Sequence, residues 1–317
     1  MADIQDQAGA ASMVGSVSAS ASVPPPAGPG THQPWLWLGI AVVLLVGAAA
    51  VLALLGRKRR KPEPVQPTQE PARREITVEK LHEQGARKSQ QDSFFVSPAE
   101  MIPSHGLLAV VADGMGGLSS GDQVSQTAVR AVMEAFYAAQ GAPEQVLLAL
   151  LARANRAVNE LLGPDGLRTG GSTMVAGLIR DGFFHCLSVG DSRICLYRDG
   201  TLWQLNREHV FRDELYLRAV NGETTLAGAV GHPQASGLTS FLGMGELKYV
   251  DLPARPIAVR PGDIYALMSD GVYNALSDEE LTAALERGEG AADALREAIQ
   301  GKNYSNQDNY TAVLLRC

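Results

Sequence analysis

Four aspartates stand where short apolar runs begin or end, and their carboxylates could bind metal ions. They occur in VVADG, SVGDS, LMSDG and QDNYT, at Asp113, Asp191, Asp270 and Asp308. If the runs are strands that end at one rim of a sandwich, the four side chains form a dense anionic cluster. Closely packed carboxylates repel one another, and a bound divalent cation removes that conflict. Because all of these ligands are oxygens, the cluster favours Mg²⁺ or Mn²⁺ over zinc.

A turn is the alternative interpretation of each Asp-Gly pair, and for any one pair it is the simpler one. The segment AVVADGMGG, residues 109–117, lacks the GK[ST] of a phosphate-binding loop and the spacing of GxGxxG. The four aspartates also do not follow the twelve-residue loop of an EF-hand. Glycines after Asp113 and Asp270 would let backbone carbonyls and waters approach an ion. The sequence therefore predicts a hard-metal site, although spacing alone does not establish that the aspartates converge.

Short β-type runs separated by turn signals must position these aspartates. The strand candidates are residues 76–84, 92–98, 106–113, 172–181, 183–191, 193–200, 201–206, 263–270 and 310–317. Asp181-Gly182 and Asp199-Gly200 join neighbouring runs, which favours antiparallel hairpins.

Two long segments and one capping signal predict helices. Apolar residues recur at helical spacing over residues 122–140 and again over 143–162. Ser277, followed three residues later by Glu280, forms a capping box ahead of a third helix. Many strands in hairpins together with a few helices predict an α+β layered sandwich rather than a parallel α/β sheet.

The charge balance and the cysteines argue against two classes of protein. The 317 residues include 34 acidic and 27 basic side chains, and seven of the basic ones lie in residues 57–75. The remainder is strongly acidic, so no nucleic acid is expected as a partner, because phosphate contacts need clustered cations. Cys186, Cys195 and Cys317 show no CxxC spacing, which argues against a metal-thiolate site and favours reduced, buried thiols.

The first 75 residues predict a tail, a membrane span and a linker. Residues 1–34 are rich in Ala, Ser, Gly and Pro and are expected to be disordered. Residues 35–56 carry no charge, and a helix of that length covers about 30 Å, the thickness of a bilayer core. A cleaved signal peptide is the rival interpretation. It fits poorly because the run starts late, has no basic region before it and is followed at once by RKRRK.

The basic, proline-rich linker over residues 57–75 sets the predicted orientation. Positive residues stay on the cytoplasmic side, so we expect a single-pass protein of the cell (inner) membrane with its N-terminus outside. Residues 76–317 would then form a cytoplasmic domain on an extended tether. The same basic residues are expected to be drawn to anionic lipid headgroups.

Residues 76–317 resemble the metal-dependent Ser/Thr protein phosphatases of the protein phosphatase 2C (PPM) family, and its bacterial branch in particular. The resemblance rests on RKSQQDSF, VVADGMGG, GSTMV, SVGDSR, LTSFLG, LMSDGV and QDNYTAVLL, which occur in the family's order. Any one motif is weak, whereas the ordered set is highly specific. The resemblance implies two packed antiparallel β-sheets flanked by helices, a four-layer α-β-β-α sandwich. It also implies a phosphoric monoester hydrolase that acts on phosphoserine and phosphothreonine.

The resemblance further implies the metal ligands. Asp113 would bridge two Mn²⁺ or Mg²⁺ ions, with the Gly114 carbonyl as a further ligand. Asp270 and Asp308 would each complete one of these two metal sites. Asp191 would help to hold a third, weaker metal that is found in bacterial members.

The implied mechanism is an in-line attack on phosphorus by a water shared between the two ions. Arg87 would bind the substrate phosphate, and Asp92 would order metal-bound water. The ions would also stabilise the charge that develops on the phosphoryl oxygens, and no covalent enzyme intermediate is needed. His105, His185 and His209 are expected to be structural or surface residues rather than catalytic ones.

Two residues depart from the family's pattern, and one segment is open to two interpretations. Met115 stands where eukaryotic relatives have a histidine that is thought to protonate the leaving alkoxide, so a metal-bound water would take that role. Gln91 stands where many relatives have Glu, and a neutral amide still orders water. Neither change removes a direct ligand.

Residues 206–245 lie where the family carries a mobile flap, and a substrate-selecting lid and a surface excursion without such a role both fit.

Three functions follow from these residues. The favoured one is a membrane-anchored Ser/Thr phosphatase whose partners are phosphorylated proteins, with a membrane Ser/Thr kinase and its substrates expected because of the tether. A non-catalytic interaction module would be favoured by the loss of Asp270 or Asp308, and both are present. An enzyme for small phosphoesters would use the same site, and the sequence does not separate it from the first.

Overall fold

The computed structural model describes residues 76–116 and 121–317. The predicted tail 1–34, membrane span 35–56 and linker 57–75 lie outside the described residues. Within the described ranges, no helix is both long enough and apolar enough to cross a bilayer.

The described ranges contain eleven strands. In chain order these are β1 (Thr77–Glu83), β2 (Asp92–Val96), β3 (Leu107–Gly116), β4 (Gly170–Ser172), β5 (Met174–Arg180), β6 (Phe183–Val189), β7 (Arg193–Arg198), β8 (Thr201–Gln204), β9 (Ile257–Ala258), β10 (Ile264–Met268) and β11 (Tyr310–Arg316). All nine predicted strands are present, and β4 and β9 are short strands that the sequence did not predict.

The helices lie between and after these strands. They are α1 (Ile102–His105), preceded by a 3₁₀ turn at Ala99–Met101, then α2 (Gly121–Tyr137), α3 (Pro143–Gly166), α4 (Phe211–Val220), α5 (Leu226–Val230), α6 (Asp270–Tyr273), α7 (Asp278–Glu286) and α8 (Ala291–Gly301). The predicted helices over 122–140 and 143–162 correspond to α2 and α3. Helix α3 is interrupted at Gly163, whose φ of 66° and ψ of 173° are not helical, directly before Pro164. The predicted capping box of Ser277 and Glu280 begins α7.

The strands form two antiparallel sheets. The first has the order β1-β11-β10-β7-β8, and the second has the order β2-β3-β5-β6-β9, with β4 paired to the far end of β3. Within the second sheet, Asp92 of β2 lies directly opposite Asp113 of β3. The register therefore brings two of the predicted site residues together.

The apolar residues of β3 show how the layers pack. Leu107 and Val111 belong to the buried cluster between the two sheets, together with Tyr265 of the first sheet. Leu108 and Val110 point to the opposite face and pack with α2 and α3. A third cluster joins the outer face of the first sheet to α7 and α8. The layers are thus helix, sheet, sheet and helix, and the predicted α+β sandwich is confirmed.

Helix α8 was not predicted from the sequence, and its N-terminus has no capping side chain of its own. The residue before it is Gly290, at a φ of 83°. The carboxylate of Glu79, on β1, accepts the Gly290 N–H at 3.1 Å and the Ala292 N–H at 3.0 Å. A residue distant in the chain therefore satisfies the first turn of this helix.

Candidate functional site

Asp113 lies inside β3, whereas the sequence placed it at the end of a strand. The strand continues to Gly116 because its last three residues pair with β4. The Asp113 N–H donates to Thr173 Oγ1 at 3.1 Å, and its carbonyl accepts the Thr173 N–H at 2.9 Å. The carboxylate is therefore held at a defined point of the sheet.

Gly114 occupies a position where only glycine fits. A Cβ atom there would lie 2.1 Å from the Gly121 carbonyl oxygen and 2.6 Å from that of Gln91. The Gly114 N–H also donates to the Gln91 carbonyl at 3.1 Å. The glycine lets β3, the start of α2 and the loop before β2 approach each other closely. Its predicted role as a carbonyl ligand of a metal stays a prediction.

Asp270 is the first residue of α6, and β10 ends two residues before it. A Cβ atom on Gly271 would lie 2.0 Å from the Asn309 carbonyl oxygen, so only glycine lets α6 lie this close to the chain before β11. The Asp270 carboxylate accepts a hydrogen bond from Asn274 Nδ2 at 3.1 Å, and its charge acts on Asp113. Packing of this short helix thus places Asp270 beside Asp113.

Asp308 precedes β11 and forms an ion pair with Arg87, with 2.5 Å between Oδ2 and Nη2. The Arg87 side chain remains 54% exposed. The next residue, Asn309, holds the loop that carries Arg87, because its Nδ2 donates to the carbonyls of Gln84 at 2.7 Å and Ser89 at 3.0 Å. Asn309 was not predicted from the sequence, where its only signal is an amide directly after a candidate ligand.

Asp92 is almost fully buried, with 3% of its surface exposed. Its Oδ2 accepts a hydrogen bond from Ser269 Oγ at 2.7 Å. Its Oδ1 is buried and has no hydrogen-bond partner among the described residues. A buried carboxylate oxygen without a partner is costly, so this atom is suited to a water or another bound group.

The structure gathers the predicted metal ligands around one cavity of about 320 Å³. Its lining includes Asp113, Gly114, Asp191, Asp270 and Asp308, together with Arg87. Asp92 does not line the cavity and lies opposite Asp113 on the neighbouring strand. As the side chains stand, no three acidic, histidine or cysteine side chains of the described part of the chain are arranged to hold an ion. Asp270 instead accepts a hydrogen bond from Asn274, and Asp308 pairs with Arg87. The individual ligand assignments therefore stay predictions.

Burial and mutual repulsion raise the pKa values of these carboxyls. Burial, followed by the charges of Asp92 and Asp270, raises the pKa of Asp113 well above its usual range. Burial is also the main cause that raises the pKa of Asp92 to about 6 and that of Asp191 to about 7. The pKa of Asp270 is raised by burial and by the charge of Asp308. A divalent cation would replace the protons that such a cluster otherwise takes up, so the donors and their charge fit a hard metal ion.

The turn that carries Asp191 is held by α6 and by the segment 206–245. Tyr273 Oη donates to the Asp191 carbonyl at 2.9 Å. The N–H of the residue before Asp191 donates to His209 Nδ1 at 3.2 Å. Leu238, from the same segment, lines the cavity. The segment 206–245 therefore contacts the site directly. The hydrogen bond by which Tyr273 positions the Asp191 turn was not predicted from the sequence.

The remaining predicted residues divide between the cavity and the rest of the fold. Met115 and Gln91 both line the cavity. Among the described residues that line it, none is a histidine. His185 instead lies 3.0 Å from Glu144, and His105 lies against the ring of Phe136.

Comparison with known protein families matches residues 82–303 to the family Protein phosphatase 2C. The Ser/Thr protein phosphatase PstP of Mycobacterium tuberculosis is 33% identical over 213 residues, which cover 65% of this chain and 40% of PstP. This chain thus matches less than half the length of that relative. The Ser/Thr phosphatase stp of Listeria welshimeri is 29% identical over 215 residues, which cover 66% of this chain and 83% of that protein.

Solved structures with the same fold include bacterial phosphatases. The Ser/Thr phosphatase of S. agalactiae superposes with a TM-score of 0.64 at 25% identity and covers 76% of this chain and 99% of that one. The catalytic domain of PstP in complex with two manganese ions superposes with a TM-score of 0.56 at 28% identity, covering 76% of this chain and 97% of that one.

Proposed function

Since the chain belongs to the protein phosphatase 2C family, we propose that it is a protein-serine/threonine phosphatase, a phosphoric monoester hydrolase that acts on phosphoserine and phosphothreonine. The observation that carries this proposal is the single cavity that four aspartates and Arg87 share. Carboxylates for metal ions beside a cation for phosphate are the two requirements of metal-assisted phosphoester hydrolysis.

The proposed metal ligands are Asp113, Gly114, Asp270 and Asp308, with Asp191 at a third site. The raised pKa values of Asp113, Asp191 and Asp270 support this donor set. When bound, two Mn²⁺ or Mg²⁺ ions supply Lewis-acid chemistry that lowers the pKa of water and offsets negative charge on phosphoryl oxygens.

The chain's own side chains bind the phosphate and orient water. Arg87 is half exposed at the cavity, and its planar guanidinium can donate two hydrogen bonds to a phosphate after it leaves Asp308. Asp92 Oδ1 has a free acceptor position for a water beside Asp113. Met115 lines the cavity but cannot donate a proton, so the leaving alkoxide takes its proton from water.

Replacing Arg87 by alanine is expected to lower kcat/KM for a phosphothreonine peptide by about 100-fold, because two charge-assisted hydrogen bonds to phosphate are lost. The assay measures phosphate release by the full chain in saturating Mn²⁺. Lys88→Ala is the matched control, since Lys88 is the adjacent exposed cation and does not line the cavity. Wild-type protein that releases no phosphate in Mn²⁺ or Mg²⁺ would refute the proposed function, and an unchanged Arg87→Ala variant would refute the role of Arg87.

We further propose that the protein is anchored in the cell membrane by residues 35–56, with its N-terminus outside and residues 76–317 in the cytoplasm. The support is the uncharged apolar run itself and the basic cluster at residues 57–61 that follows it. A tethered phosphatase meets membrane-proximal proteins first, so a membrane Ser/Thr kinase and its substrates are the proposed partners.

The double substitution Leu44→Arg/Leu45→Arg is expected to release the protein from the membrane fraction, because each central arginine opposes insertion by about 3 kcal/mol. The measurement is fractionation of cells that express the full chain, with phosphatase activity followed in both fractions. Leu44→Ile/Leu45→Ile serves as the control and should stay in the membrane. Wild-type protein in the soluble fraction would contradict the anchor and leave the phosphatase proposal intact.

A further inference from the structure

A second cleft of about 340 Å³ adjoins the carboxylate cavity and shares Arg87 and Asp308 with it. Its other walls include Asn274, Tyr304 and Gln307. We call it the side cleft. Because Arg87 lies between the two spaces, a group bound by Arg87 in the carboxylate cavity has the side cleft as its immediate neighbour.

The wall between the side cleft and the carboxylate cavity is held in place by close backbone contacts. A Cβ atom on Gly85 would lie 2.2 Å from the Asp308 carbonyl oxygen, so the Arg87 loop lies directly against the chain before β11. The Ala86 N–H donates to the Gln307 carbonyl at 2.8 Å. The side cleft is therefore preorganised and need not form on binding.

The polar groups of the side cleft are suited to a peptide. Asn274 Nδ2 donates a hydrogen bond to the Asp270 carboxylate at 3.1 Å. Gln307 Nε2 donates one to the Gly271 carbonyl at 2.9 Å. Their amide oxygens are left to accept N–H groups from a ligand. The Tyr304 side chain is 48% exposed and offers a ring face beside these acceptors.

The lining of the side cleft offers no net charge to attract a charged ligand. Its charged wall residues are one cation, Arg87, and one anion, Asp308, so the wall carries no net charge. The rest of its wall consists of amides, an aromatic ring and small residues. A neutral stretch of main chain fits this lining. A small phosphoester has no main chain next to its phosphate, so the side cleft contributes nothing to its binding.

We propose that the side cleft binds the residue next to the phosphoserine or phosphothreonine, so that the site prefers phosphorylated polypeptides to small phosphoesters. This proposal rests on the proposed phosphatase function and deepens it. Asn274 and Gln307 accept main-chain N–H groups, and Tyr304 packs against the flanking side chain. Aromatic faces of this kind commonly dominate peptide affinity.

The test compares kcat/KM for a phosphothreonine heptapeptide and for p-nitrophenyl phosphate, using the full chain in saturating Mn²⁺. Tyr304→Ala should lower kcat/KM for the peptide by about 10-fold, mainly through KM, and change the value for p-nitrophenyl phosphate less than about 2-fold. Tyr304→Phe should keep peptide turnover. Tyr137→Ala is the matched control, because Tyr137 is also 48% exposed but ends α2 and lines neither space.

The outcomes separate this inference from the proposed function. Equal losses on both substrates, or peptide turnover that survives Tyr304→Ala, would overturn the role of the side cleft while the phosphatase activity stands. Wild-type protein that turns over neither substrate would overturn both. A loss confined to the peptide supports the side cleft.

Discussion

Replacing Asp113 by asparagine is expected to lower Mn²⁺-dependent release of phosphate from a phosphothreonine peptide by about 1,000-fold or more. Asp113 is the carboxyl on which the charges of Asp92, Asp191, Asp270 and Asp308 all act. Asparagine keeps the size of the side chain and removes the charge that would attract the ions. The loss should therefore exceed that of any other single change at the cavity.

The same substitution should make the metal-free protein more stable at pH 8. Burial and neighbouring carboxylates oppose ionisation of Asp113, so the charged form is costly in the absence of ions. Removing that charge is therefore expected to raise the free energy of unfolding. Urea unfolding in EDTA measures this effect. A gain in stability that accompanies a loss of activity is the sign of a carboxylate placed for function.

Asp263 provides the control for this pair of effects, because it is also buried but belongs to a structural ion pair. It is 1% exposed, and Arg198 donates to both of its oxygens at 2.7 Å. Asp263→Asn should destabilise the fold by about 3 kcal/mol and leave kcat/KM unchanged at temperatures where the variant is folded. If Asp113→Asn behaved like this control, or kept its activity, the proposed metal site would be wrong.

Local signals in the sequence predicted the strands and hairpins well. At the two Asp-Gly turns, Asp181 and Asp199 have a φ of 53°, and the glycines that follow have φ values of 79° and 78°. Positive φ at both central residues is the geometry that the hairpin signal specifies. The residues that make such a turn are adjacent in the chain, so their pattern carries the information.

Features that depend on contacts between distant segments were not predictable. Strand β3 continues past Asp113 because the glycines pair with β4, which follows a long helical region. Helix α8 is capped by Glu79, and the separation of 211 residues from Gly290 hides this contact from any local pattern. The pairing of β3 with β4 and the capping of α8 by Glu79 both depend on tertiary contacts between distant segments.

At the candidate site, the sequence indicated which carboxylates matter but not what holds them. The four aspartates stand at the beginning or end of visible apolar runs and do share one cavity. Asn309, which holds the Arg87 loop, and Tyr273, which holds the Asp191 turn, act through hydrogen bonds to backbone carbonyls. Such contacts leave no spacing pattern, because any backbone carbonyl can accept them.

The stability of the metal-free protein is expected to fall as pH rises from about 5 to 8. In the folded state the pKa of Asp92 is about 6 and that of Asp191 about 7, and those of Asp113 and Asp270 are also raised above the usual 3.8. The folded protein therefore binds more protons than the unfolded chain in this range. The associated stability is fully present below the unfolded pKa and is lost as pH rises through the folded pKa. Each excess proton contributes about 1.4 kcal/mol per pH unit.

Saturating Mn²⁺ is expected to remove this fall, because the ions would keep the same carboxyls ionised in the folded state. They should also raise the free energy of unfolding by about 2.7 kcal/mol at 100 times the dissociation constant. Burial lowers the pKa values of His82 and His209, which makes stability rise with pH near 6, but that contribution is the same with and without metal. The quantity to measure is therefore the difference between urea-unfolding free energies in Mn²⁺ and in EDTA across this pH range. A difference that stays constant with pH would mean that the ions bind away from these aspartates, because only ligands that lose protons on binding can make the difference grow with pH.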